Sequence, residues 1–127
     1  MKKIITSPHA PAPIGPYSQA VQIGNMLFTS GQIALNPATG ALETEDIVSE
    51  TERVMKNLSA VLEAADMNFE HVVKTTIFLH DMEDFAQVNE VYGRYFNEAT
   101  APARETVAVK HLPKSVHVEI SMIAVKE

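Results

Sequence analysis

The chain has 127 residues and a formal net charge of −6, a length that suits one domain with one core. The acid excess weighs against broad contact with nucleic acid, where Lys and Arg must meet phosphate. The sequence holds no cysteine, which excludes disulfides, thiol nucleophiles and Cys-based metal or iron–sulfur sites.

Met1-Lys2-Lys3 resembles the start of a signal peptide, but the apolar stretch after it stops at Ser7-Pro8. No apolar run reaches the ~18 residues of a membrane span, so no membrane partner is expected and the chain reads as cytoplasmic. Lys2 to Thr6 makes a first strand. Pro8, Pro11, Pro13 and Pro16 then forbid regular structure, since each lacks an N–H and fixes φ. Strands from Ser18 to Ile23 and Met26 to Ser30 flank Gly24-Asn25, a two-residue hairpin signal whose residues tolerate positive φ. Asn36 to Gly40 is a surface turn.

From Asp46 to Ala65 the pattern becomes helical. Ile47, Thr51, Val54, Leu58, Val61, Leu62 and Ala65 recur at spacings of three and four. Ser49 followed by Glu52 offers an alternative capping box in the first turn. Val72 to Leu79 is rich in β-branched residues and reads as a strand. A second helix is expected from Glu83 to Phe96, with Asp81 as its N-cap and with Tyr92, Tyr95 and Phe96 as packing residues. Strands Glu105 to Leu112 and Val116 to Val125 flank Pro113-Lys114 and read as a closing hairpin. The order β-β-β-α-β-α-β-β predicts a single α+β domain over residues 1–127, with one mixed sheet of about six strands and both helices on one face. The other face carries Ile123 and Val125, an apolar patch that self-association would cover.

The last hairpin bears on chemistry. With Leu112 opposite Ser115, alternation sends Val107, Val109, Val116, Val118 and Ile120 to the helix side. Arg104, Thr106, His117, Glu119 and Ser121 then share the open side. In that register Arg104 lies roughly 13 Å along the strand from Glu119, at ~3.3 Å per residue. A small molecule fits between a guanidinium that grips a carboxylate and a carboxylate that handles water or a proton. Two charges on a solvated strand, or an ion pair across a subunit contact, fit the pattern equally. The same register sends His111 and His117 to opposite faces, so no metal site is expected.

Five segments together resemble the RidA family, the reactive intermediate deaminases also called the YjgF family. They are Ala12-Pro13-Ile14-Gly15-Pro16-Tyr17-Ser18-Gln19-Ala20, Leu27-Phe28-Thr29-Ser30-Gly31-Gln32, Phe85-Ala86-Gln87-Val88-Asn89-Glu90-Val91-Tyr92, Pro102-Ala103-Arg104 and Val118-Glu119-Ile120. The resemblance implies a chorismate-mutase-like homotrimer with clefts between subunits. It implies hydrolysis of 2-aminoacrylate and related enamines or imines from pyridoxal-phosphate enzymes, with no cofactor of the protein's own. It places the substrate-anchoring arginine on Arg104, the water-orienting glutamate on Glu119 and the site tyrosine on Tyr17. The pocket serine and glycine fall on Ser30 and Gly31, and the pocket asparagine on Asn89. Many relatives carry cysteine two residues after the arginine. Here Thr106 stands there and can still hydrogen-bond substrate. The alternative reading is a non-catalytic trimeric module that binds small 2-oxo acids in a regulatory role.

Overall fold

The computed structural model describes residues 1–127. Strands β1 (Lys3–Ile5), β2 (Ala20–Ile23) and β3 (Met26–Thr29) precede helix α1 (Ile47–Ala64). Strand β4 (Val72–Leu79), helix α2 (Phe85–Gly93) and strands β5 (Ala103–Ala108) and β6 (Val118–Val125) follow. They form one six-stranded sheet in the order β1-β2-β3-β6-β4-β5, and no helix is long and apolar enough to cross a membrane.

Local chemistry accounts for most element ends. Ile23 pairs with Met26 across the expected turn, where Gly24 alone takes a positive φ, of 58°. Asp46 caps α1 by accepting the Ser49 N–H at 2.8 Å. The helix ends where Asp66 turns left-handed, at φ 58°, and the Met67 N–H bonds back to the Leu62 carbonyl. Asp81 accepts the Glu83 N–H, but a short 3-10 turn, Met82–Asp84, intervenes before α2. Helix α2 ends at Gly93 rather than continuing to Phe96.

Both helices lie on one face. Val54, Leu58, Val61 and Leu62 of α1 and Val88 of α2 join Leu27, Ile77, Leu79, Val118, Ile120 and Met122 of the sheet in one core. Each fully buried Leu or Ile among them contributes about 2 kcal/mol. The opposite face exposes Ile4, Ile23, Met26, Phe28 and Val107, an apolar patch larger than the Ile123 and Val125 expected of it.

The closing hairpin does not form. Strand β4 lies between β5 and β6, parallel to β5 and antiparallel to β6. Helix α2 is the crossover that a parallel β4–β5 pair requires. Residues around Pro113-Lys114 carry the chain back over the end of β4 in a 3-10 turn, Pro113–Ser115, instead of a hairpin loop. The change inverts β5. Ile77 pairs with both Thr106 and Ile120, and Phe78 with both Val107 and Glu119. Since paired residues share a face, Thr106 and Arg104 lie on the helix side, while Val107 lies on the open side with Glu119.

Helix α1 also carries buried polar groups. Glu50 is fully buried. Its carboxylate accepts the N–H groups of His117 at 2.7 Å and Val118 at 3.1 Å and lies 2.7 Å from His117 Nδ1. Asn57 Nδ2 donates to the carbonyls of Ile33 and Leu35. These bonds tie the start of β6 and the loop after β3 to the helix. Glu50→Leu strands two backbone donors and should lower stability by about 2–4 kcal/mol, with a smaller loss for Glu50→Gln, which keeps an acceptor. Urea unfolding of both variants measures this, and an unchanged midpoint in Glu50→Leu would contradict it.

Candidate functional site

Of the seven residues singled out in the sequence, four meet at one cleft. Tyr17, Ser30, Gly31 and Glu119 line a cavity of about 510 Å³. The proline-rich segment after β1 forms one wall. It is held by Gln19, only 2% exposed, whose amide donates to the carbonyls of Ser7, Ala10 and Pro11 and whose oxygen accepts the Ser7 N–H. Tyr17 is half exposed at the mouth, and its hydroxyl accepts the Ile14 N–H at a long 3.4 Å. The Ser30 hydroxyl donates to the Ser18 carbonyl at 2.6 Å, and its N–H bonds Gln19 O at 2.9 Å.

Gly31 lies against the Glu119 side chain. Gln32 and Ile120 exchange backbone hydrogen bonds of 2.8 and 3.2 Å, which draws the chain beyond β3 against β6. A Cβ on Gly31 would stand 2.8 Å from Glu119 Cδ and 2.9 Å from Oε2, so any other residue there would push the Glu119 carboxylate aside. The Glu119 side chain makes no hydrogen bond or ion pair within the chain. Burial alone pushes its carboxyl above the ordinary value of 4.5.

Arg104, Asn89 and Thr106 form a second group on the other side of the sheet. Arg104 Nη1 donates to Asn89 Oδ1 at 2.7 Å. The guanidinium lies over the Tyr92 ring, 5.1 Å from its centroid, and 5.7 Å from that of Phe85, which holds its plane against two aromatic faces. Tyr92 is itself fixed by its hydroxyl, which donates to Thr75 Oγ1 at 2.9 Å. Burial raises the pKa of that phenol, which keeps it a donor. Thr106 Oγ1 is buried without a partner. Strand alternation groups Arg104 with Glu119 on one face, and the observed sheet separates them, because Arg104 pairs with buried Thr75 and Glu119 with Phe78 of the open face.

Several contributors were not anticipated. Gln19, Gln32 and Lys114 line the cleft, and Glu50 anchors the strand that carries Glu119. Glu50 had a sequence signal. It lies three residues from Ile47 and four from Val54 on the apolar stripe of α1, and an acid there must be paired if the helix packs.

The family model described as Endoribonuclease L-PSP matches residues 7–126. The chain belongs to this family. It is 47% identical over 128 residues to the 2-iminobutanoate/2-iminopropanoate deaminase of Escherichia coli, covering 99% of each chain. It is 50% identical over 127 residues to a RutC family protein of Pyrococcus horikoshii, covering all of both. A crystal structure of the Rid-family protein YyfA from Yersinia pestis superposes with a TM-score of 0.96 at 45% identity, covering 99% of this chain and 100% of that one. The YjgF gene product of E. coli superposes at 0.92 with 46% identity, over 98% and 99% of the two chains. The RidA/YjgF resemblance is thereby borne out, as is the α+β fold of two helices on a six-stranded mixed sheet.

A raised carboxyl pKa has a consequence for stability. Between 4.5 and its folded-state value, Glu119 binds its proton more readily in the folded chain than in the unfolded one. Its contribution is therefore fully present below pH 4.5 and lost as pH rises through the folded-state value. Glu119→Gln should unfold at higher urea concentration than the parent at pH 7, with the gap closing toward pH 4. A gap independent of pH would show that burial of the charge is not its cause.

Proposed function

We propose that the protein hydrolyses small 2-enamine or 2-imine carboxylates, such as 2-aminoacrylate and its imine, to 2-oxo acids and ammonia. The observation that carries this reading is Glu119, a partly buried carboxylate without a partner, held against Gly31 in an open cleft. Buried ionisable groups left unpaired in clefts mark acid–base chemistry. The E. coli relative named a 2-iminobutanoate/2-iminopropanoate deaminase supports the same reaction, as does a mouse relative of that name at 46% identity.

In the proposed reaction the enamine first tautomerises to the imine, whose C2 is electrophilic. Arg104 grips the substrate carboxylate. Its Nη1 bond to Asn89 and the aromatic rings beneath it fix the guanidinium before substrate arrives, which lowers the ordering cost. Glu119 takes a proton from water as the water oxygen adds to C2, and the C=N bond becomes a C–N single bond. That proton passes to nitrogen, giving a hydroxyl and an amine on C2; the hydroxyl's proton then also passes to nitrogen, and ammonia departs as the C–N bond breaks and the C=O bond of the 2-oxo acid forms. Gly31 and Tyr17 line the cleft, where a backbone N–H and a phenol steady the developing oxygen charge, and Thr106 follows Arg104 on the same face of β5.

Opposite faces of one sheet cannot close on one small molecule. The site therefore takes Glu119, Tyr17, Ser30 and Gly31 from one copy of the chain and Arg104, Asn89 and Thr106 from a second. A closed ring of copies, the homotrimer implied by the resemblance, also buries Ile23, Met26, Phe28 and Val107 of the open face. The regulatory alternative uses Arg104 in the same way and leaves Glu119 without a task.

The test couples a serine or threonine dehydratase to this protein and follows 2-oxo acid release. The parent protein should accelerate release. Arg104→Ala should lower kcat/KM roughly 100-fold, from loss of about 3 kcal/mol of charge-assisted bonding. Glu119→Gln should still bind 2-oxo acid but lose turnover. The acid limb of the pH–rate profile should lie above the ordinary glutamate value of 4.5. A fully active Arg104→Ala protein would contradict the assignment, and full turnover by Glu119→Gln would favour another mechanism.

A further inference from the structure

We propose that Lys114 reads a second carboxylate on the substrate, so that the cleft prefers imines derived from dicarboxylic amino acids. The inference rests on the deaminase reading above and extends it to the substrate's side chain. Lys114 is the one cationic residue lining the cavity that holds Glu119. It is exposed and, like Lys2, Lys3, Lys56 and Lys110, makes no ion pair within the chain; what sets it apart from those is its place in the cavity lining.

Its backbone is unusual. Lys114 and Ser115 both take left-handed conformations, with φ of 55° and 58°, a region that residues other than glycine rarely occupy in succession. The turn is fixed by the Ser115 N–H to Leu112 O at 3.0 Å and the Val116 N–H to Pro113 O at 3.3 Å. Strain of this kind persists where surroundings over-determine it, and it gathers at ligand clamps. Here it presents a lysine at the cleft's rim.

Lys114 does not serve Glu119 directly. Lys114 and Glu119 both line the cavity, and no salt bridge joins them. Ile33, Leu35 and Pro113 also line the cleft and give a substrate's methylenes an apolar path. A substrate with its reacting carbon at Glu119 and a carboxylate at the end of its side chain reaches from one charged residue of the lining to the other. The lysine, a flexible point charge, suits a terminal carboxylate that needs no fixed geometry.

Calorimetric titration of the assembled protein with 2-oxoglutarate and with 2-oxobutanoate, both stable product analogues, tests this. The parent should favour the dicarboxylate by about tenfold, the size of one charge-assisted contact. In Lys114→Met the ratio of the two affinities should fall to about one, and in Lys114→Arg most of it should remain. A parent with no preference, or a ratio unchanged in Lys114→Met, overturns the role of Lys114 and leaves the deaminase reading standing. Failure of every variant to bind either acid overturns the site itself, and this inference with it.

Discussion

The position of β6, antiparallel and inserted between β3 and β4, is the constraint on which the rest of the site depends. It forces β5 to the sheet's edge, parallel to β4, and makes α2 the crossover between them. The same arrangement lays Phe85, Asn89 and Tyr92 of the crossover helix beside Arg104. On the other side it brings β6 against the chain beyond β3, where the Gln32–Ile120 bonds seat Glu119 on Gly31. One topological choice thus sets the two groups of candidate residues on opposite faces of the sheet.

Buried polar groups hold these residues in place. Glu50 takes the N–H groups of His117 and Val118, immediately before Glu119, and so fixes where β6 begins. Asn57 fixes the loop through Ile33 and Leu35, and Gln19 binds the proline-rich wall through three carbonyls and an N–H. An apolar residue at any of these positions would pack, but would leave buried backbone groups unpaired. The cleft's shape is therefore specified by hydrogen bonds from core positions.

Much of this was legible in the sequence. The apolar spacing of α1, the Gly24 turn, the Asp46 cap and the β-branched run of β4 each rest on chemistry within a few residues, whereas Asp81 caps the 3-10 turn before α2 and not α2 itself. The pairing of β5 does not rest on local chemistry. Alternation states which residues of a strand share a face, but not which face until its partner is known. Val107, Val109, Val116 and Val118 alternate around Pro113-Lys114 as a hairpin would, while the alternation is equally compatible with a strand inserted between them. Hence alternation alone groups Arg104 and Glu119 on one face. The motifs identified the residues individually. That Tyr17, Ser30, Gly31 and Glu119 form one group and Asn89, Arg104 and Thr106 another required the sheet order. Glu50 and Gln19 were visible only as polar residues among apolar ones, since their partners lie far along the chain.

The proposed reaction needs residues from two copies of the chain. Subunit mixing tests it most directly, by co-refolding Arg104→Ala and Glu119→Gln proteins and assaying imine hydrolysis. If the site joins Glu119 of one copy to Arg104 of the next, each mixed ring of three restores about one intact site, and activity absent from both parents returns. If mixed assemblies form and remain inactive, Arg104 and Glu119 do not serve a site between copies, and the account is wrong.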